Sequence, residues 1–248
     1  MKKYFFAVII LLAISFATIS FFKKSETKTG QGFAVVELFT SEGCSSCPPA
    51  DEVVADLAKQ NEKNVFILGY HVDYWNYLGW KDIYSNSAFS NRQKQYASAL
   101  NLNSVYTPQI VVNGKTELVG SDKNKLQQTI SKELSSEIIK PFDISAKSTD
   151  GKNVSVNLKS DNNSNEIINV ALVQLQAQSD VKRGENNGRQ LHHINIVRDL
   201  KIIDASAKQQ SVNFILPAGF ASKDFTIITF SQNKSNLQID NAAEVAIQ

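Results

Sequence analysis

Cysteine is almost missing from this chain: 248 residues contain only two, Cys44 and Cys47. A single pair three positions apart cannot build a disulfide framework, so the fold must rest on buried apolar cores. Histidine is nearly as scarce, with three residues, and methionine occurs once. The absence of Met-rich or His-rich tracts argues against a protein devoted to copper traffic. Charge of one sign is lacking too. The chain has 26 Lys and Arg against 24 Asp and Glu, dispersed along its length. Nothing in that distribution makes the basic patch of a nucleic-acid binder. Internal repeats and low-complexity tracts are also absent.

What is present begins with a core-forming composition, 42% hydrophobic, enough for one large domain or two modest ones. At the N-terminus, Lys2-Lys3 precede an apolar stretch from Tyr4 to Phe22, closed by Lys23-Lys24. This reads as an export signal. Ser15-Phe16-Ala17 offers small residues for signal-peptidase cleavage. The stretch is also close to the roughly 20 residues that span a bilayer as an uncleaved anchor. No cysteine follows it, which excludes a lipoprotein. Residues 1–24 are therefore assigned to a signal peptide or anchor and 25–32 to a linker. The rest of the chain is expected in the periplasm or secreted, or held at the inner membrane by that segment, its only expected membrane contact.

From Phe33 to about Lys140 the pattern alternates strands and helices. Phe33-Ala34-Val35-Val36-Glu37-Leu38-Phe39 is short, apolar and β-branched, a buried strand. Pro48-Pro49-Ala50-Asp51 opens a helix through Val53, Val54, Leu57 and Ala58, with proline tolerated in the first turn. A second strand covers Asn64 to Val72, followed by an aromatic, turn-rich stretch from Asp73 to Asp82 and a polar helix over about Ser87 to Leu100. Gln109 to Val112 and Thr116 to Val119 flank Asn113-Gly114, the strongest short hairpin signal. Ser121-Asp122 then caps a helix from Lys123 to about Ile138. The order β-α-β-α-β-β-α predicts a thioredoxin-like α/β domain, residues 33–140, with a helical insert. Pro141 marks the boundary. Beyond it strand follows strand: Phe142 to Ser148, Val154 to Leu158, Ile167 to Leu175, Leu191 to Val197, Val212 to Leu216 and Phe225 to Phe230. Residues 141–248 are expected to form an antiparallel β-sandwich.

The chemistry centres on Cys44-Ser45-Ser46-Cys47, between the first strand and its helix. Free N–H groups and the helix dipole at that N-terminus favour a thiolate. Cys44 is the expected nucleophile, and Cys47, one turn in, the resolving thiol that attacks a mixed disulfide. Half a zinc site has the same spacing, but no second CxxC or His pair completes a tetrad. Thr107-Pro108 stands where thioredoxin-like folds place a cis-proline facing the CxxC, with the backbone before it pairing with substrate. The neutral alternative is an ordinary trans-proline at a strand start. Glu37 is a candidate proton acceptor for the resolving thiol, or a strand-end carboxylate in a salt bridge. His71 is either a structural histidine or, with the thiolates, part of a Cu(I) site. Trp75, with Tyr77 and Trp80, either rims a partner site or packs the insert. Arg189 lies in the polar loop from Lys182 to His193, which reads as a solvated hairpin or an interface pairing. His192 and His193 are neighbours on a strand and point to opposite faces, so they cannot chelate one metal.

These residues together resemble a known family. The run from Val36 to Asp51 around the CxxC, the segment His71 to Asp82, Tyr106-Thr107-Pro108-Gln109, and Gly188-Arg189 through Val197-Arg198 are similar to the pattern of DUF1223, bacterial secreted proteins of the thioredoxin-like superfamily. The resemblance implies the fold and export, and little about substrate, since the family's function is unknown. Two functions remain. One is an extracytoplasmic thiol–disulfide oxidoreductase, needing no cofactor or metal, whose partners are protein or small thiols and disulfides or an electron-transfer protein. The other is a copper-binding or binding module that uses the same thiols without turnover.

Overall fold

The structure, a computed structural model, describes residues 32–136, 143–159 and 163–248. The export segment, nearly all of the linker and the Pro141 boundary lie outside them. Among the described residues no helix is long and apolar enough to cross a membrane.

The chain runs β1 (Ala34–Thr40), α1 (Pro48–Lys59), β2 (Val65–His71), α2 (Ser87–Ala99), β3 (Gln109–Val112), β4 (Thr116–Val119) and α3 (Lys123–Leu134). It continues through β5 (Asp143–Ser148), β6 (Asn153–Lys159), β7 (Glu166–Asp180), β8 (Gln190–Asp204), β9 (Gln209–Ile215), β10 (Phe225–Asn233) and β11 (Ile239–Ala246). Eight strands form one mixed sheet in the order β11-β10-β7-β8-β2-β1-β3-β4, and β5-β6-β9 form a second.

This arrangement corrects the expected fold class. The molecule is mostly β, not an α/β thioredoxin-like domain followed by a separate β-sandwich. Strands β7, β8 and β10, assigned to a sandwich of their own, instead extend the sheet that β1 to β4 begin, and β11, which the sequence did not mark as a strand, forms its edge. The junction is a parallel contact of β8 with β2 at Gly69 and Ile196. A physical reason is plain. Beside β1 alone, β2 would present an open edge of unpaired N–H and C=O groups, and β8 covers it. The two halves then share one core in addition to the core that each builds.

Alternation along β1 decides which face meets which helix. Ala34, Val36 and Leu38 pack with Ala50, Val54 and Leu57 of α1 and with Leu126 and Ile130 of α3. Val35 and Phe39 face the other way, onto Phe89 and Tyr96 of α2 and onto Ile228 and Phe230 of β10. A third core lies between the sheets, where Val154, Val156, Leu158 and Phe214 meet Ile168, Val170, Leu172 and Ile227. The three-stranded sheet therefore forms a second layer over β7 and β10.

The Asn113-Gly114 hairpin forms as its sequence requires, with φ of 49° and 64° at its two turn residues. Its asparagine also holds the start of β1: Asn113 Oδ1 accepts from the Val35 N–H at 2.7 Å, and Nδ2 donates to the Phe33 carbonyl at 2.9 Å. Glycine is required at 114 a second time, because a Cβ there would stand 2.0 Å from the Leu237 carbonyl oxygen.

Candidate active site

Cys44 and Cys47 are joined in a disulfide, with Cα atoms 5.4 Å apart. Cys47 is the N-cap of α1, and the prolines that follow occupy the first turn, where a missing N–H costs nothing. Both cysteines are fully buried, while Ser45 and Ser46 are exposed at the tip of the loop. Ser46 Oγ lies 3.3 Å from Cys44 Sγ and donates to the Thr107 carbonyl at 3.4 Å. The Thr107–Pro108 peptide bond is cis. Thr107 Oγ1 accepts from the Trp75 indole N–H at 2.7 Å, so Thr107, Trp75 and the disulfide loop form one cluster. Gly43 packs tightly here, since a Cβ on it would stand 3.0 Å from Trp75 Cβ.

The loop between β7 and β8 closes over the cysteines from the far half of the chain. The buried Asn186 donates through Nδ2 to both the Glu42 and the Cys44 carbonyls, each at 2.9 Å. Glu185 Oε2 accepts from the Ser45 N–H at 3.0 Å, which lowers its pKa. Among the described residues Arg189 pairs with no carboxylate; its Nη1 donates to Asn186 Oδ1 at 3.0 Å and so orients that side chain.

Beneath the disulfide lies a buried acid–histidine cluster. Glu42, Asp51, Asp82, His71 and His193 are all nearly inaccessible. Asp82 Oδ2 contacts His71 Nδ1 at 2.7 Å and accepts the Glu42 N–H at 2.9 Å. Burial alone would raise the Asp82 pKa, but His71 and the N–H groups of Glu42 and Tyr84 hold it below the usual value. His193 lies between two carboxylates, Nδ1 3.4 Å from Asp51 and Nε2 3.6 Å from Glu42, and its ring meets His71 edge-on at 4.8 Å. Burial opposes its charge, yet the two carboxylates outweigh that and push its pKa up to about 10. Trp80 Nε1 donates to the other Glu42 oxygen at 2.6 Å, and Thr40 Oγ1 donates to Asp51 at 3.2 Å.

The structure thus brings Cys44, Cys47, Thr107, Pro108, Trp75 and the Arg189 loop together. Glu37 is elsewhere. It sits on the face of β1 turned to α2, where Arg92 Nε donates to it at 2.7 Å and the Tyr96 hydroxyl also donates. His71 belongs to the cluster, but through Asp82 and with the thiols tied to each other. Among the described residues no group of three or more His, Cys, Asp or Glu is arranged to hold a metal ion. Glu42, Asp51, Asp82 and Asn186 did not stand out in the sequence, and His193 was weighed only as one of two neighbours unable to share a metal. The available signal was strand alternation, since one of His192 and His193 must face inward, and the structure buries His193.

The family described as "Protein of unknown function (DUF1223)" matches residues 35–232. Among curated proteins none matches. Solved structures similar to this chain include two of note. A crystal structure of a protein from Agrobacterium tumefaciens is 31% identical, with a TM-score of 0.63, and the match covers 86% of this chain and 93% of that one. HBP35 of Porphyromonas gingivalis is 17% identical, with a TM-score of 0.54 over 88% of this chain and 76% of that one. At that identity the likeness speaks for fold alone.

Proposed function

This chain belongs to the DUF1223 family, and on that premise we propose that it is an extracytoplasmic thiol–disulfide oxidoreductase with Cys44 and Cys47 as its redox pair. The observation that carries the reading is the placement of the disulfide. It closes a four-residue loop, the short end of the range, where a cross-link stabilises a fold least. It stands at a helix N-terminus, which favours a thiolate, and above buried carboxylates and histidines that a staple has no use for. Cys44 is the sulfur that exchanges with substrate, and Cys47 resolves.

The substrate class is a protein dithiol or disulfide, or a redox partner protein. Tyr77 and Ile83, 80% and 67% exposed in the segment that also carries Trp75 and Trp80, present apolar surface of the kind a protein partner covers. Access to the sulfurs requires the Ser45–Ser46 tip to move from Cys44 and Thr107. Export is supported by the Lys2-Lys3 start and the apolar run to Phe22, and by a chemistry suited to an oxidising compartment.

Equilibration of the mature chain in graded glutathione buffers tests the reading. A redox-active pair is expected to titrate between about −270 and −120 mV, whereas a value below about −300 mV marks a structural disulfide. Stoichiometric Cu(I) capture by the reduced chain, together with such a low potential, would favour the metal-binding alternative.

A further inference from the structure

We propose that the Glu42–His193–Asp51 cluster is the proton donor to Cys47 when the disulfide opens, an assignment that rests on the redox reading above. Cys47 has helical backbone angles, φ −77° and ψ −39°, and its carbonyl accepts the Asp51 N–H at 3.1 Å. Residues four apart on a helix share one face, so Asp51 stands one turn from Cys47 on the buried side of α1. Asp51 leads to His193, and His193 to Glu42. Both ring nitrogens of His193 and the Oε1 oxygen of Glu42 are buried without a well-formed hydrogen bond. Buried polar atoms in that state are costly, and a structural network would have closed the gaps. The spacing suits a chain that tightens when a proton moves along it.

In the exchange, a substrate thiolate forms a bond to Cys44 Sγ as the Cys44–Cys47 bond breaks. The electron pair leaves on Cys47 Sγ. A second substrate thiolate then displaces Cys44, so the substrate dithiol loses two electrons and the protein gains them. A Cys47 thiolate would lie one turn from the Asp51 carboxylate in a site closed to water, where like charges repel strongly. A proton from His193, passed along Asp51, removes that charge, and solvent later restores it to the cluster. The carboxylates keep His193 loaded at neutral pH, consistent with its raised pKa. The groups facing His193 from the packed elements are Glu42 before α1, Asp51 on α1, His71 on β2 with its partner Asp82, and Tyr84 before α2, with Arg198 behind the Tyr84 ring.

Stopped-flow reduction of the oxidised full chain by dithiothreitol, corrected for thiolate concentration across neutral to alkaline pH, tests this. The wild-type rate is expected to fall as His193 loses its proton. His193→Gln and Asp51→Asn should each lower the neutral-pH rate by about 10- to 100-fold and flatten that profile. His192→Gln, on the exposed neighbour, should leave rate and profile unchanged. A folded His193→Gln or Asp51→Asn chain with the wild-type rate and profile overturns the assignment. Should neither variant fold, the solvent deuterium effect on the wild-type chain decides: a slowing of about twofold supports proton transfer, and none refutes it. A wild-type chain that reacts no faster than oxidised glutathione sinks the redox reading itself. A fast wild-type chain with indifferent variants sinks only the proton donor.

Discussion

Replacing Arg92 with methionine is expected to cost about 3–5 kcal/mol of stability, because it strands a carboxylate inside the protein. Glu37 is wholly buried on β1, and its charge is balanced by the Arg92 guanidinium from α2. Arg92 also donates to Gln232 Oε1 on β10 at 3.2 Å and to the Tyr96 hydroxyl at 3.0 Å. Its guanidinium lies 5.6, 5.1 and 5.3 Å from the ring centres of Tyr70, Tyr96 and Phe230. Arg92 therefore joins β1, α2 and β10, which is to say both halves of the chain. Without it, Glu37 keeps the Tyr96 hydroxyl but no counter-charge. Adding Glu37→Gln to Arg92→Met should recover part of the loss, since the stranded charge is then gone. Urea unfolding of the single and double variants measures both effects. A loss below about 1 kcal/mol in the single variant would mean that the pair does not matter to the shared core.

Stability should also fall as pH rises from neutral to alkaline, and His193 is the group responsible. Its pKa is raised from the ordinary 6.5 to about 10 in the folded chain. The unfolded chain therefore loses this proton first, and the folded chain holds it. The stabilisation is fully present below about pH 6.5 and is lost as pH climbs through about 10. At one pKa unit to about 1.4 kcal/mol, the effect amounts to a few kcal/mol. Urea midpoints measured between those limits should decline in the wild-type chain. In His193→Gln the decline should shrink sharply while the low-pH stability drops. A His193→Gln chain with the same alkaline decline would show that other groups carry it.

The local elements were legible in the sequence because their signals are local. The apolar β-branched run of β1, the Pro-Pro start of α1 and the Asn-Gly turn each act within a few residues, and each element appears where it was expected. How the halves join was not legible. Pairing Gly69 with Ile196 brings together positions far apart in the chain, and no local pattern announces it. Strand β11 escaped for another reason: Asp240, Asn241 and Glu244 break its apolar alternation. The site divides in the same way. The cysteines declare themselves by spacing. The carboxylates around them are ordinary residues until β8 delivers His193 and the 181–189 loop delivers Asn186. Glu37 misled because it is a strand carboxylate near the motif, yet odd positions of β1 face α2 while even ones face α1.

The central claim is that Cys44 and Cys47 exchange disulfides with a substrate, and one trapping experiment tests it most directly. Full-length Cys47→Ser and Cys44→Ser chains, expressed in a host that exports them, are quenched in acid and resolved without reductant. With the resolving thiol removed, Cys44 should accumulate as mixed disulfides with client proteins that disappear on reduction. Cys44→Ser should accumulate none, because the remaining Cys47 is fixed at the N-cap of α1, whereas Cys44 lies in the loop whose exposed Ser45–Ser46 tip moves to give access. Absence of mixed disulfides from both variants, with the folded chain present in the exported fraction, would contradict the account.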